Sequence, residues 1–342
     1  MSILDKLSDV KRTLDTLLYY SNEVTGAGSQ NIAEAIEYLV TGYGGGGGEF
    51  IFSGLNPNLV DEFEQTYYLS DTSYGGCVEV IPAWEQDGEE AEVYHMYRFE
   101  SLDSKEVMES LQEQIDLVKD RFTAKNLSEV ADTKNLKVII QGEEAGDLLI
   151  SFGTDLSYNA KYMKINHTEI GDDVQMGESK VVSGSRLNLW RVPYYPNCTV
   201  SSAFDADGVV LEEIQLIKDG IAINRYGDHT SGYYLGIDKP TGNVPVTVVK
   251  EGEKTFAEMA TEPYVRCIKW SGIQVDRNSG YFGGEVRFGY YFDGEKEIPV
   301  TGFTVSGNLE KTKETFVFSK ETISHRSYHG PKFIEIKDMN IL

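Results

Sequence analysis

Two histidines, His325 and His329, lie four residues apart near the C-terminus, with Ser324 and Tyr328 beside them. On a helix that spacing would put both imidazoles on one face, where they could share a metal ion. Ser327, Tyr328, Gly330 and Pro331 argue against a helix, so a loop with solvated or hydrogen-bonded histidines is the expectation. Asp205 and Asp207 could pair for acid–base work or open a calcium loop. The bidentate glutamate that such a loop needs is missing, so a hairpin turn over Asp205-Ala206-Asp207-Gly208 is favoured. Cys198 and Cys267 could offer thiolates, but a lone cysteine is more often a small buried hydrophobe. Gly283-Gly284 has no helix after it, which argues against a phosphate cradle. No nucleophile–base pair can be named from spacing alone.

The elements that would position these residues change character along the chain. Ile3, Leu7, Val10, Leu14, Leu17 and Leu18 recur at steps of three and four and predict a helix. After a break at Thr25–Ser29, Asn31 can cap a second helix carrying Ile32, Ala35, Ile36, Leu39 and Val40. Residues 1–43 thus read as a helical leader, and Gly44–Gly48 as a flexible linker. Two helices this short bury too little to stand alone, so Leu7, Val10, Leu14 and Leu17 are expected to drive self-association. Residues 49–98 form a β-rich segment of short runs, including Glu49–Phe52, Glu64–Leu69 and Cys77–Ile81, with an exposed acidic turn at 86–92.

The remaining stretch, 99–342, reads as one large mixed domain. It opens with a helix at about 104–122, with Val107, Leu111, Ile115, Val118 and Phe122 on one face. Strands are expected at Val138–Ile140, Leu148–Ile150, Val209–Leu216, Val244–Val249, Val265–Trp270, Glu285–Phe292 and Phe333–Ile336. Lys218-Asp219-Gly220 and Phe292-Asp293-Gly294 fit hairpin turns. The fold class is therefore α+β, with antiparallel strands dominating the large domain.

Aromatic residues are abundant, with 21 Tyr, 15 Phe and 3 Trp, which gives contact area beyond that of one core face. Tyr194-Tyr195, Tyr233-Tyr234 and Tyr290-Tyr291 lie in or beside strand-like stretches, so one ring of each pair should face inward and the other outward. The outward ring could line a groove or simply form ordinary sheet surface. Between 264 and 292, Tyr264, Trp270, Tyr281, Phe282, Phe288, Tyr290, Tyr291 and Phe292 crowd one stretch. Its outward members are expected in a protein–protein interface, with Trp270 and Tyr291 as anchors and Tyr290 beside them.

Composition excludes several classes of function. Across 342 residues, 31 Lys+Arg face 55 Asp+Glu, a net charge of −24, which argues against nucleic-acid and anionic-lipid surfaces. Three widely spaced cysteines do not make a disulfide scaffold. Charged residues interrupt the N-terminal apolar stretch, so no signal peptide is expected. No apolar run of about 18 residues is present, so no membrane insertion is expected. Synthesis and folding in the cytoplasm, without a cofactor, is the resulting expectation.

Several ordered motifs resemble the C-terminal part of the TldD/PmbA family over about 105–342. Phe204-Asp205-Ala206-Asp207-Gly208-Val209 is similar to its "FDDEGV" turn, and Leu216–Ile221 to its "LIEDGVL" hairpin. Leu235-Gly236 with Pro240-Thr241-Gly242-Asn243 resembles "LG…STGN". Asp276–Glu285 resembles "NPxTGDFS", and Pro299–Gly302 with Ser306-Gly307-Asn308 resembles "PVxGxTIxGN". Residues 1–85 instead resemble phage tail and minor virion proteins, through the helical leader, the glycine run, and the stretches Asn58–Phe63 and Tyr68–Tyr74. This leader is expected to stand where the family carries a long N-terminal domain.

The family resemblance implies a zinc peptidase in the catalytic branch, with HExxxH on a helix and a C-terminal cysteine as third ligand. Neither HExxxH nor HExxH occurs here: His95 is followed by Met96-Tyr97, and His167 by Thr168-Glu169. Where the family would carry the zinc helix, this chain has Tyr158-Asn159-Ala160-Lys161-Tyr162-Met163-Lys164. PmbA-type partner subunits lack the motif too, and the family's C-terminal domains pair with a related subunit. Two expectations follow. One is a non-catalytic structural or binding component of a phage tail or virion. The other is an inactive PmbA-type subunit that completes a TldD-like zinc peptidase. Both imply no zinc, no peptidase activity and no nucleic acid. Partners would be a second copy, phage-particle proteins or a TldD-like subunit.

Overall fold

The computed structural model describes residues 76–86, 88–99 and 104–342. The expectations for the leader, the glycine linker, the runs at 49–52 and 64–69, and Leu7, Val10, Leu14 and Leu17 lie outside these residues. The described residues fall into two compact units, 76–123 and 124–342.

In the first unit, β1 (Gly76–Val80) pairs antiparallel with β4 (His95–Phe99), joining Val80 to His95 and Cys77 to Arg98. The acidic stretch forms a hairpin of β2 (Ala83–Gln86) and β3 (Glu89–Glu92) that closes around Gly88. Helix α1 spans Ser104–Phe122. Val107, Leu111 and Val118 of the expected apolar face are buried. Glu106 in its first turn and Lys119 and Arg121 in its last complement the helix dipole.

The second unit is built on two sheets. The larger runs in the order β16 (Val317–Phe318), β19 (Phe333–Ile336), β6 (Lys137–Gln141), β11 (Tyr264–Trp270), β13 (Tyr281–Phe292), β14 (Glu297–Thr301) and β5 (Lys125–Asn126). Strand β12 (Gln274–Val275) and β15 (Phe303–Asn308) also pair with β13, and β20 (Asn340–Ile341) pairs with β15. The smaller sheet runs β17 (Thr322–His325), β18 (Tyr328–Pro331), β10 (Val246–Val249), β7 (Leu189–Val192), β8 (Ile214–Lys218) and β9 (Ile221–Ala222). Among the described strands of this unit, only β6–β11, β5–β14 and β10–β18 pair in parallel, so antiparallel pairing dominates.

Leu148–Ile150 is not a strand. It lies within helix α3, Glu143–Asp155, which follows the short α2 (Leu127–Val130) and β6. The apolar triplet is part of a longer helical pattern in which Ala145, Leu148, Leu149, Phe152 and Leu156 are all buried. A run of three apolar residues cannot distinguish a strand from a buried helix. Helix α3 contacts β6 of the larger sheet and β7, β10 and β18 of the smaller one. Both sheets share one core with it, through Val138, Ile140, Val265 and Ile334 on one side and Leu189, Leu216 and Tyr328 on the other. Val209–Leu216 is likewise mostly not strand: β8 begins at Ile214, and Val210 makes an isolated bridge to Phe204.

The motifs that carry the family resemblance are locks between turns. Asp205 Oδ1 accepts from the amides of Asp207 (3.0 Å) and Val209 (3.0 Å), and its Oδ2 accepts from the amide of Asn243 (2.9 Å). The acidic turn thereby fixes the Thr241-Gly242-Asn243 loop. The β8–β9 hairpin turns through Asp219 and Gly220, both at positive φ, and Arg186 Nε donates to Asp219 O at 2.9 Å. Asn308 Nδ2 donates to Ser279 O (3.1 Å), and the Leu309 amide donates to Gly280 O (2.7 Å), joining two further motifs. These residues hold the fold together.

Candidate functional site

Residues 158–163 form helix α4 (Tyr158–Met163), the segment that the resemblance aligns with a zinc helix. Ser157 caps it, its Oγ accepting from the Ala160 amide at 3.0 Å, and Lys164 ends it in a left-handed conformation. Tyr158 and Ala160 face inward, while Tyr162 and Met163 are exposed. None of its six side chains is a zinc ligand of the kind the family uses. Among the described residues, no group of three His, Cys, Asp or Glu converges where a metal could sit. The residues present do not fit the zinc that the family implies.

Beside α4 runs a groove of about 320 Å³. Asp147, Ile150, Ser151, Thr154 and Asp155 line it from one stripe of α3, opposed by Ala160 and Ile165 and by Val275, Arg277 and Asn278. Asp155 is almost fully buried; its Oδ1 accepts from the His167 amide at 2.9 Å, and its Oδ2 lies 3.3 Å from Arg277 Nη2. The Arg277 guanidinium sits 5.0 Å from the centre of the Phe152 ring. The groove therefore combines the apolar side chains of Ile150, Ala160, Ile165 and Val275 with polar ones, including the Asp155–Arg277 charge pair. Sequence reading missed it, because Asp155 and Arg277 are brought together only by the packing of α3 against the loop after β12.

Beyond the groove lies an aromatic cluster. Tyr162 of α4 stacks on Tyr234 of α5 (His229–Tyr234) at 5.1 Å, and Tyr233 meets Tyr234 edge-on at 5.5 Å. Tyr233 and Tyr234 are 72% and 62% exposed. The expected in–out alternation fails here because the pair ends a short helix, where neighbours are separated by about 100° rather than by the alternation of a strand.

The other aromatic candidates are largely engaged within the chain. Trp270 and Tyr291 are half-buried and pack against the shared core. Tyr290 meets Phe288 edge-on at 5.2 Å, and the Arg266 guanidinium lies 4.8 Å from its ring centre. Tyr264, Phe282 and Phe288 are fully buried, and Tyr281 is exposed.

His325 and His329 lie on a β-hairpin rather than in a loop, and they face opposite ways. His325 pairs with Tyr328 and lies under Gly146 of α3. His329 pairs with Ser324, whose Oγ is 2.7 Å from its Nδ1, and its ring stacks on Tyr195 at 4.0 Å. Burial lowers the His329 pKa, with Glu251 opposing. Sequence spacing did not reveal this Ser–His contact. Only the two-residue turn at Arg326-Ser327, which sets Ser324 opposite His329, could have signalled it. No carboxylate hydrogen-bonds the imidazole among the described residues, so the orienting member of a triad is not in place.

Cys198 and Cys267 are both buried. Cys198 Sγ donates to Tyr328 O at 3.3 Å. Burial pushes the Cys267 thiol well up, and Glu144 adds to the shift. Such a thiol is an inert core residue. The Glu144 carboxyl, in the first turn of α3, is itself pushed up to about 7, chiefly by burial, with Glu143 and Asp147 adding and its own backbone amide and Lys269 opposing.

The sequence profile of the PmbA/TldA metallopeptidase C-terminal domain matches residues 133–342. No curated protein matches the chain. Among solved structures, the chain is similar to a candidate modulator of DNA gyrase from Thermotoga maritima, with TM-score 0.65, 16% identity, and 81% of this chain and 64% of that one covered. It is similar to TldE from Thermococcus kodakarensis, with TM-score 0.64, 12% identity, and 81% and 65% covered. A second candidate gyrase modulator, from Bacteroides thetaiotaomicron, gives TM-score 0.62 and 14% identity, with 80% and 61% covered. The chain thus spans less than two thirds of each of these proteins, and at such identities the likeness is one of fold.

Proposed function

The chain belongs to the family of the PmbA/TldA metallopeptidase C-terminal domain, and we propose that it is a non-hydrolysing member that binds a protein partner. One observation carries this reading. Neither HExxxH nor HExxH occurs in the sequence, and the helix at 158–163, where the sequence resemblance places the zinc motif, presents Tyr158, Asn159, Ala160, Lys161, Tyr162 and Met163. Hydrolysis by this family's chemistry needs about three protein ligands and an open water position, and those side chains supply none. A groove of mixed apolar and polar lining with a charge pair, near exposed tyrosines, suits binding without cleavage. In the family, metal-free subunits of this kind are PmbA-type partners, so a TldD-like subunit bearing HExxxH is the proposed partner.

A second reading rests on residues 1–85, whose resemblance to phage tail and virion proteins favours attachment to a particle. Leu7, Val10, Leu14 and Leu17 would then drive self-association. The test is affinity purification of the full chain from its native host, with identification of bound proteins by mass spectrometry. An HExxxH-bearing relative is expected. Tail or capsid proteins in its place would overturn the first reading in favour of the second.

A further inference from the structure

The groove beside α4, about 320 Å³ in volume, is lined by acceptors whose protons are already spent. Ser151 and Thr154 of α3 turn their hydroxyls back onto the helix. Ser151 Oγ donates to Leu148 O at 2.6 Å, and Thr154 Oγ1 donates to Ile150 O at 3.2 Å. Both residues line the groove, so each offers an incoming group lone pairs rather than a proton. They are three apart on one helix face, and Asp147, also in the lining, lies one turn before Ser151.

The electrostatics of the lining favour a cation. Two carboxylates, Asp147 and Asp155, face one guanidinium, that of Arg277. Arg277 is committed to the chain on two sides, through Asp155 at 3.3 Å and the Phe152 ring at 5.0 Å. It is thereby a poor anchor for an anion. Asp155 Oδ2, enclosed in the groove wall, accepts no hydrogen bond, so the ion pair alone offsets its charge. Helix α3 also ends here, at Asp155, with no basic residue in its last turn. The negative end of its dipole adds to the field in the groove.

The rest of the lining fits an apolar stem behind that charge. Ile150 and Val275 are half-buried in the wall, and a methylene chain packs on such side chains while its charged head reaches polar groups. A compact ammonium with three rotatable donors suits separate hydroxyl acceptors better than a planar guanidinium does. At the rim, Tyr162, Met163 and Ile165 are exposed, which gives the residues flanking such a side chain an apolar surface to cover. We propose that the groove receives a lysine side chain of the protein partner. Its ammonium donates to the Ser151 and Thr154 hydroxyls, with Asp147 as the nearby counter-charge. The inference rests on the partner-binding reading above and names the side chain that enters the groove.

The test is calorimetric titration of the full chain with the peptide acetyl-Leu-Lys-Leu-amide. Saturable binding of one peptide per chain is expected, and none when the lysine ammonium is acetylated. Ser151→Lys places a tethered ammonium in the groove and is expected to abolish binding. Asp147→Asn keeps the shape but loses the counter-charge, and is expected to weaken binding about fivefold. Should Ser151→Lys fail to fold, Asp147→Asn and the acetylated peptide decide. A parent that does not bind the peptide, equal binding of the acetylated form, or variants that bind as the parent does would overturn the proposal. Pentylamine binding as tightly as the peptide would also overturn it, by making the occupant a small amine. None of these results touches the partner-binding reading, which the purification from the native host decides separately.

Discussion

Gly146 and Gly153 lie on the same helix, and Ala at each should have opposite effects. Helix α3 runs between the two sheets, so its glycines mark where neighbours come closest. A Cβ at Gly146 would lie 2.7 Å from His325 Nε2 and 2.8 and 2.9 Å from Tyr328 ring atoms. Tyr328 is fully buried, and its hydroxyl donates to Pro331 O at 3.2 Å, so the ring cannot withdraw freely. A Cβ at Gly153 would meet Leu189 Cδ2 at 3.3 Å, a contact that a small rotation of one leucine relieves. Both substitutions gain about 1 kcal/mol of helix propensity, and overpacking costs about 1–3 kcal/mol. The propensity gain cancels in the comparison. Gly146→Ala should therefore be less stable than Gly153→Ala by about 1–3 kcal/mol. Urea denaturation of both variants beside the parent, with equal m-values, measures the difference. If Gly146→Ala proves as stable as Gly153→Ala, helix α3 is not wedged beneath the β17–β18 hairpin, and the layered core is wrong.

Other outcomes follow from particular residues. Asp205→Ala removes three acceptor contacts to backbone amides that join two turns; the expected loss is about 1–3 kcal/mol in chemical denaturation. Glu144 is raised from 4.5 to about 7 in the folded state, so the unfolded chain ionises first and stability falls as pH rises between those values. At about 1.36 kcal/mol per pH unit, the fall is bounded at about 3 kcal/mol, and Glu144→Gln should flatten the Tm–pH profile over that window. Trp270→Ala and Tyr291→Ala test the interface expected from the sequence by sedimentation velocity: an anchor should cost about 2 kcal/mol or more of association. Variants that assemble like the parent, or that simply unfold, would remove these residues from the interface.

Legibility in the sequence followed the range of the interactions. Val265–Trp270, Phe333–Ile336 and the α1 face were readable because local pattern and burial agree there. The Asp219-Gly220 turn was readable because two positive φ angles demand such residues. Leu148–Ile150 was not, because three apolar residues fit either element until the buried Ala145 and Phe152 are counted with them. Tyr233 and Tyr234 misled because strand alternation was assumed for the end of a helix. The Asp155–Arg277 pair and the Ser324–His329 contact depend on packing and strand register, which residue spacing does not encode. The motif residues were legible as a family signature, yet their hydrogen bonds give them a structural role, because Asp205 and Asn308 hold turns together.

The most direct test of the central claim is the zinc content of the isolated full chain. It should be purified without chelator, freed of partners, and measured by elemental analysis beside protein concentration. The helix at 158–163 lacks the ligands, and the Cys267 thiol is buried with its pKa pushed up. The account predicts zinc far below stoichiometric. About one tightly held zinc per chain, the content of a catalytic site, would contradict it.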